Sequence, residues 1–183
     1  MGQNQTNFNE FLKFGEEGEE IVAEYLMNNC GISILPLYQF EAESTPIILN
    51  KKIKMITPDL TCFNSGHVFF VEVKRKRKWV RRKGQLETGF NYDHFIHYSR
   101  VEKDTGLKVF IVFNHEKENP TGLYYVELKN YDRIWDGTNS VGQKTYPPIC
   151  FYKYQSLKPL DKYSIHIPQE NNESNMPEMH FDT

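Results

Sequence analysis

Cysteine is scarce in this chain, and what there is cannot be paired into a framework. The 183 residues hold three, Cys30, Cys62 and Cys150. They are far apart, with no C-x-x-C and no histidine pair at zinc spacing, which excludes a disulfide scaffold and a zinc knuckle and fits a reducing setting. Long apolar runs are missing too: nowhere do about 18 apolar residues follow one another. The opening MGQNQTNFNE is polar and lacks the apolar segment of a secretion signal. The expectation is therefore an intracellular, cytoplasmic protein (the host cell interior if viral), with no membrane partner. No internal repeat is present.

What the chain does contain is a globular composition rich in aromatics, with 39% hydrophobic and 25% charged residues, 13 Phe and 11 Tyr. Its length suits one domain with its own core. We expect that domain over 1–167, followed by a disordered tail, 168–183, where QENNESNMPEMHFDT is mostly polar. Net charge is only −2, but Lys74, Arg75, Lys76, Arg77, Lys78, Arg81, Arg82 and Lys83 place eight cations in ten residues, leaving −2 − 8 = −10 for the rest. A local cationic band on an acidic body is the footprint of a polyanion that docks in one place. A solvated basic loop would look the same.

Apolar residues at Phe11, Phe14, Ile21, Val22, Tyr25 and Leu26 recur at helical intervals, predicting a helix over 10–29 stopped at Asn28-Asn29-Cys30-Gly31. Residues 32–40 are apolar but contain Pro36, which predicts an edge or irregular strand. A loop is expected over 41–46, and a short β excursion over 47–56 turning near Asn50-Lys51. Strands at 59–63 and 67–74 flank Asn64-Ser65-Gly66, tight-hairpin chemistry. A helix over 90–104 follows from Phe90, His94, His97, Tyr98 and Val101, ending at Thr105-Gly106. Residues 107–113 form a continuous apolar run expected in a buried strand. Further strands are expected at 122–128 and 149–154.

The hairpin carries the chemistry. Alternation puts Glu72 and Lys74 on one face and Val71 and Val73 on the other. Asp59 and Glu72 are symmetric about the turn, so simple pairing sets them opposite each other, with Cβ atoms roughly 4.5–5.5 Å apart. Two carboxylates that close need a proton, a cationic side chain or a metal between them. Oxygen donors of this kind suit Mg²⁺, with Mn²⁺ a plausible substitute. With Lys74 beside the acids and cations leading away, the parts match what metal-assisted phosphodiester hydrolysis needs. An exposed Glu-Lys pair on an ordinary amphipathic hairpin is the plainer alternative.

Pro58-Asp59 followed by Glu72-Val73-Lys74 resembles the motif of the PD-(D/E)xK nuclease superfamily, which includes restriction endonucleases and archaeal Holliday junction resolvases. GEEGEEIVAEYLMNNCGISIL is similar to the first helix of resolvase-like members, and ETGFNYDHFIHYSRVEKDTGLKVFIVF to the helix and strand after the motif in small phage-type members. The resemblance covers roughly residues 10–128. It implies an α/β, restriction-endonuclease-like fold, a central mixed sheet flanked by helices in the order helix, antiparallel hairpin, helix, strand. It further implies a metal held by Asp59, Glu72 and the Val73 carbonyl, with Lys74 acting on the attacking water. Glu19, rather than Glu16 or Glu20, would bind a second ion or orient water. DNA is the implied partner, a homodimer the implied assembly, and a 5′-phosphate and 3′-hydroxyl the implied product ends.

Other positions have two readings. Arg75, Lys76, Arg77, Lys78, Arg81, Arg82 and Lys83 would grip the backbone. Trp79 would stack on a base or pin the basic segment to the body. Gln85 resembles a residue that relatives carry in the following helix near the scissile phosphate, or is a surface glutamine. Tyr98 resembles a phosphate-contacting position, or is a core tyrosine. His94 and His97 do not share a face, which argues against a two-histidine site. Trp135 is expected to pack a loop. The rival functional readings are a non-catalytic nucleic-acid-binding module using 74–83 and a regulatory protein docking an acidic partner.

Overall fold

The computed structural model describes residues 2–36, 47–50, 53–139 and 141–160. Its elements are α1 (Gly2–Cys30), β1 (Ser33–Pro36), β2 (Ile47–Asn50), β3 (Ile53–Ile56), β4 (Leu60–Asn64), β5 (His67–Lys76), β6 (Val80–Arg82), β7 (Gln85–Asn91), α2 (Tyr92–Thr105), β8 (Val109–His115), β9 (Gly122–Glu127), β10 (Arg133–Trp135), β11 (Ile149–Lys153), a 3₁₀ turn (Tyr154–Ser156) and β12 (Lys158–Pro159). The fold class is α/β. A mixed sheet of order β1-β4-β5-β8-β9-β12 forms the centre, joined by a four-stranded sheet β10-β11-β7-β6 and the β2-β3 ribbon. The expected order of helix, antiparallel hairpin, helix and buried strand appears as α1, β4–β5, α2 and β8.

Why β5 and β8 lie parallel follows from the chain between them, since β6, β7 and α2 provide the crossover that parallel pairing demands. Every residue of β8 is buried, because both faces of the central sheet are covered. On one face Val71, Val73, Phe110 and Val112 pack with Val22 and Leu26 of α1. On the other, Ile111 and Phe113 pack with Phe95, Tyr98 and Val101 of α2 and with Phe90 and Tyr152 of the second sheet. Val22 and Leu26, one helical turn apart, lose all exposure, each worth about 1.5–3 kcal/mol of burial.

The β4–β5 turn is tighter than the three-residue Asn-Ser-Gly expectation. Asn64 pairs with His67, leaving only Ser65 and Gly66 in the loop. Both have positive φ, 47° and 84°, the geometry of a two-residue hairpin, which glycine adopts without strain. At the end of α2, Gly106 takes φ 72° and its N–H reaches the Glu102 carbonyl, the helix stop expected there.

Several expectations are corrected. α1 begins at Gly2 rather than near residue 10. Phe90 lies in β7, and α2 starts at Tyr92. The basic band is no loop: its second half is β6, hairpinned to β7 through Lys83 and Gly84. Exposed charges carry no hydrophobic period, so nothing in the pattern announced that strand. The predicted edge strand ends at Pro36 among the described residues, and β2–β3 forms the excursion. The expected loop 41–46 and tail 168–183 lie outside the described residues. No described helix is long and apolar enough to cross a membrane.

Gly18 sets the distance between α1 and β5. A methyl group there would sit 2.9 Å from Arg75 Cβ, whereas one at Gly15 would meet nothing within 4 Å. Gly18→Ala is therefore expected to lose about 1–3 kcal/mol by forced displacement, and Gly15→Ala to gain up to about 1 kcal/mol of helix propensity. Denaturant midpoints compare the two, and equal effects would contradict the close approach.

Candidate active site

Strand β5 outruns its partner β4. The ladder ends at Leu60↔Val71, and past it the next strand-edge amide, Val73 N–H, donates to Asp59 Oδ2 at 2.7 Å. The register predicted for the hairpin holds along the ladder: Leu60↔Val71 and Phe63↔Val68 sum as 59 and 72 do, and Asp59, the residue before β4, is bonded to the backbone next to Glu72. Pro58 cannot donate a backbone bond, which suits it to the point where a ladder stops.

On the α2 side of β5, Glu72 is 1% exposed and ion-paired through Oε1 with Lys74, itself 24% exposed. Its other oxygen, Oε2, is buried without a hydrogen-bond partner. The Tyr98 hydroxyl approaches the same carboxylate. Burial, and next the charge of Glu72, raise the Tyr98 pKa well above the phenol range, so it stays protonated. His94 Nδ1 lies 3.0 Å from the Tyr98 oxygen, one helical turn back. Burial, followed by the Lys74 charge, lowers the His94 pKa.

From α1, Glu19 is half-buried and turned toward this group, while Glu16 and Glu20 are exposed. Burial, then repulsion from Glu72, pushes the Glu19 carboxyl up to about 7. The same two causes raise Asp59 well above the usual carboxylate range. For Lys74, burial acts to discharge it, but Glu72, Asp59 and Glu19 together outweigh that and raise its pKa. The structure thus brings Glu19, Asp59, Glu72 and Lys74 into one electrostatic unit, adds Tyr98 and His94, and leaves it with more acid than base.

Among the described residues no three His, Cys, Asp or Glu side chains are grouped tightly enough to enclose a metal ion by themselves. Two carboxylates and a backbone carbonyl are a sufficient protein share for Mg²⁺, which keeps several waters. The unpartnered Glu72 Oε2 and the raised Asp59 and Glu19 carboxyls are what an incoming cation would satisfy. On those grounds the residues fit such an ion.

The basic band divides into structural and free members. Arg75 is spent within the fold: its Nη1 donates to the Phe14 carbonyl at 2.9 Å and to Glu17 at 2.7 Å, Nε pairs with Glu116, and its guanidinium lies 4.0 Å from the Phe14 ring centre. Trp79 is buried, stacked on His115 at 3.6 Å, with Nε1 donating to the Glu118 and Pro120 carbonyls. It pins the basic segment to the body, and no base can reach its covered face. Arg81 pairs with Glu118 at 2.9 Å. Arg77 is exposed over Phe14. Lys78, Arg82 and Lys83 are exposed, and among the described residues they form no ion pair. Lys76 is half-buried. Gln85 opens β7 and is exposed, so it belongs to no helix near the acids. Trp135 donates to Thr138 across its own loop, as expected. Sequence reasoning set His94 aside as a ligand; its contact with Tyr98 at i, i+4 was the available signal.

No family model matches the chain, and no curated protein does. Among solved structures it is similar to a Holliday junction resolvase of the archaeal hyperthermophile Archaeoglobus fulgidus, at 12% identity and TM-score 0.49, covering 78% of this chain and 90% of that one.

The raised Glu19 carboxyl has a thermodynamic signature. Its folded pKa lies above the unfolded value, so its stabilising share is present below about 4.5 and lost as pH rises through about 7. His115, pushed down to about 4 by burial and Lys76, acts oppositely below its unfolded value of 6.5. The comparison is therefore Glu19→Gln against the parent in chelator: the variant's relative Tm is expected to climb between pH 4.5 and 7. A flat difference would contradict the crowding.

Proposed function

We propose that the chain is a Mg²⁺-dependent nuclease hydrolysing DNA phosphodiester bonds, a deoxyribonuclease of the PD-(D/E)xK type. The observation carrying this is the convergence of Asp59 and Glu72 at the end of the β4–β5 ladder beside Lys74, with Glu72 Oε2 left open. The motif resemblance in 57–74 supports the same reading. DNA as partner and a homodimeric assembly come from that resemblance.

Asp59, Glu72 and the Val73 carbonyl would hold the ion. When bound, Mg²⁺ supplies a Lewis acid that polarises a phosphoryl oxygen and offsets the carboxylates' charge. Lys74 stays an ammonium under the pull of three acids, so it donates hydrogen bonds to the attacking water or to the phosphoryl oxygen where charge develops; it does not take a proton. Glu19, half-buried at the rim, orients the water or shares a second ion. Tyr98, whose hydroxyl approaches Glu72 and contacts His94, limits the movement of that carboxylate. Lys78, Arg82 and Lys83, on or beside the β6–β7 hairpin, attract the backbone and offset the repulsion that acids exert on phosphate.

Asp59→Asn and Glu72→Gln are each expected to lower cleavage of branched, linear or single-stranded DNA at least about a hundredfold, while binding is kept or strengthened because a negative charge is gone. Gel assays with Mg²⁺ and anisotropy in chelator read the two quantities. Binding without any metal-dependent cleavage by the parent would assign the chain to the non-catalytic binding module instead. Replacing Lys78, Arg82 and Lys83 by Gln is expected to reduce the salt slope of duplex binding by about 0.9 for each phosphate no longer neutralised.

A further inference from the structure

Lys76 differs from the cations around it. Strand alternation sets it on the face of Glu72 and Lys74, and its pairing with His115 in β8 continues the row Glu72↔Ile111, Lys74↔Phe113. It is half-buried, and no carboxylate among the described residues pairs with it. Burial, then the neighbouring Lys74 charge, pushes its pKa down to about 8. Beside it His115 is 2% exposed, its Nε2 lies 3.2 Å from Thr88 Oγ1, and its Nδ1 is buried with no partner. Arg75, one residue back on the opposite face, is ion-paired with Glu17 and Glu116 through Nη1 and Nε, and Nη1 also donates to the Phe14 carbonyl. The fold thus satisfies the cation it uses for structure and leaves this one unmet.

A poorly hydrated ammonium without a counterion costs stability unless an anion arrives. Two residues of strand rise place Lys76 roughly 6.5 Å beyond Lys74. From there the chain runs to Trp79, anchored on His115, and into the basic β6–β7 hairpin. β5 thus leads from the acids toward the free cations, with Lys76 as its last residue.

We propose that Lys76 is a positioning residue that holds the substrate phosphate next to the one cut, on the side facing the β6–β7 hairpin. It rests on the nuclease reading above. The charge of Lys76 meets a phosphate the acids do not touch, and that contact sets the register in which the scissile phosphate enters.

The test uses the full chain as parent, Lys76→Met and Lys76→Arg, with oligonucleotides carrying one neutral methylphosphonate at successive linkages around the mapped cut. In the parent, neutralising one flanking linkage is expected to lower kcat/KM about tenfold, the scale of one charge-assisted contact. Lys76→Met loses the same factor and becomes insensitive at that linkage alone, Lys76→Arg restores part of it, and the Tm of Lys76→Met is not below the parent's. Parent-like sensitivity of Lys76→Met at every linkage would overturn the inference, as would a lowered Tm, which marks a structural role. Inorganic phosphate that raises the Tm of the parent but not of Lys76→Met, without linkage sensitivity, would mark a free-anion site and overturn it too. Anisotropy with the same oligonucleotides in chelator separates the two readings. Linkage-specific non-additivity there without any Mg²⁺-dependent cutting keeps Lys76 and sinks the nuclease. Cutting indifferent to Lys76 does the reverse, and neither binding nor cutting sinks both.

Discussion

The hydrogen bond from Val73 N–H to Asp59 Oδ2 is the contact on which the arrangement of the site depends. Where β4 ends, β5 would otherwise expose an amide at a part-buried edge, and an unmet buried donor costs about 1–3 kcal/mol. A carboxylate side chain meets it in place of a carbonyl. The acid is thereby fixed opposite Glu72 by the same register that builds the hairpin, and backbone satisfaction and site geometry become one requirement.

Electrostatics then decide what the site can accept. Glu72 sits at 1% exposure with its charge balanced on one oxygen only, by Lys74. Glu19 and Asp59 are held above their ordinary range by burial and by Glu72. A lone ammonium among three acids leaves the group short of positive charge, and in a partly desolvated setting that shortage is costly. The proposed divalent cation answers it, and so would protons at low pH. The close packing at Gly18 matters for the same reason, because it brings α1, and Glu19 with it, against β5.

Much of this was legible in the chain. Residues 59 and 72 are equidistant from a turn whose chemistry is local, so their opposition could be read by counting, and the apolar run 107–113 marked the buried strand. The helical spacing through Val22 and Leu26 marked the face that covers Val71 and Val73. What could not be read were consequences of distant contacts. Arg75 looked like its neighbours until Glu17 and Glu116, 58 and 41 positions away, claimed it. Trp79 sat among cations in sequence but under His115 in space. The β6–β7 hairpin has no apolar alternation on its exposed arm, so charge masked it. Phe90 matched a helical period by coincidence, being the last buried residue of a strand that abuts the helix.

The central claim is that Asp59 and Glu72 share one divalent cation. A crystal grown with Mn²⁺ and measured at its absorption edge tests it most directly. The account predicts an anomalous peak bridging the two carboxylates within ordinary oxygen-ligand distance, about 2.0–2.2 Å, with Glu72 Oε2 among the ligands. Mn²⁺ bound elsewhere or absent, with Glu72 still paired with Lys74, would contradict it.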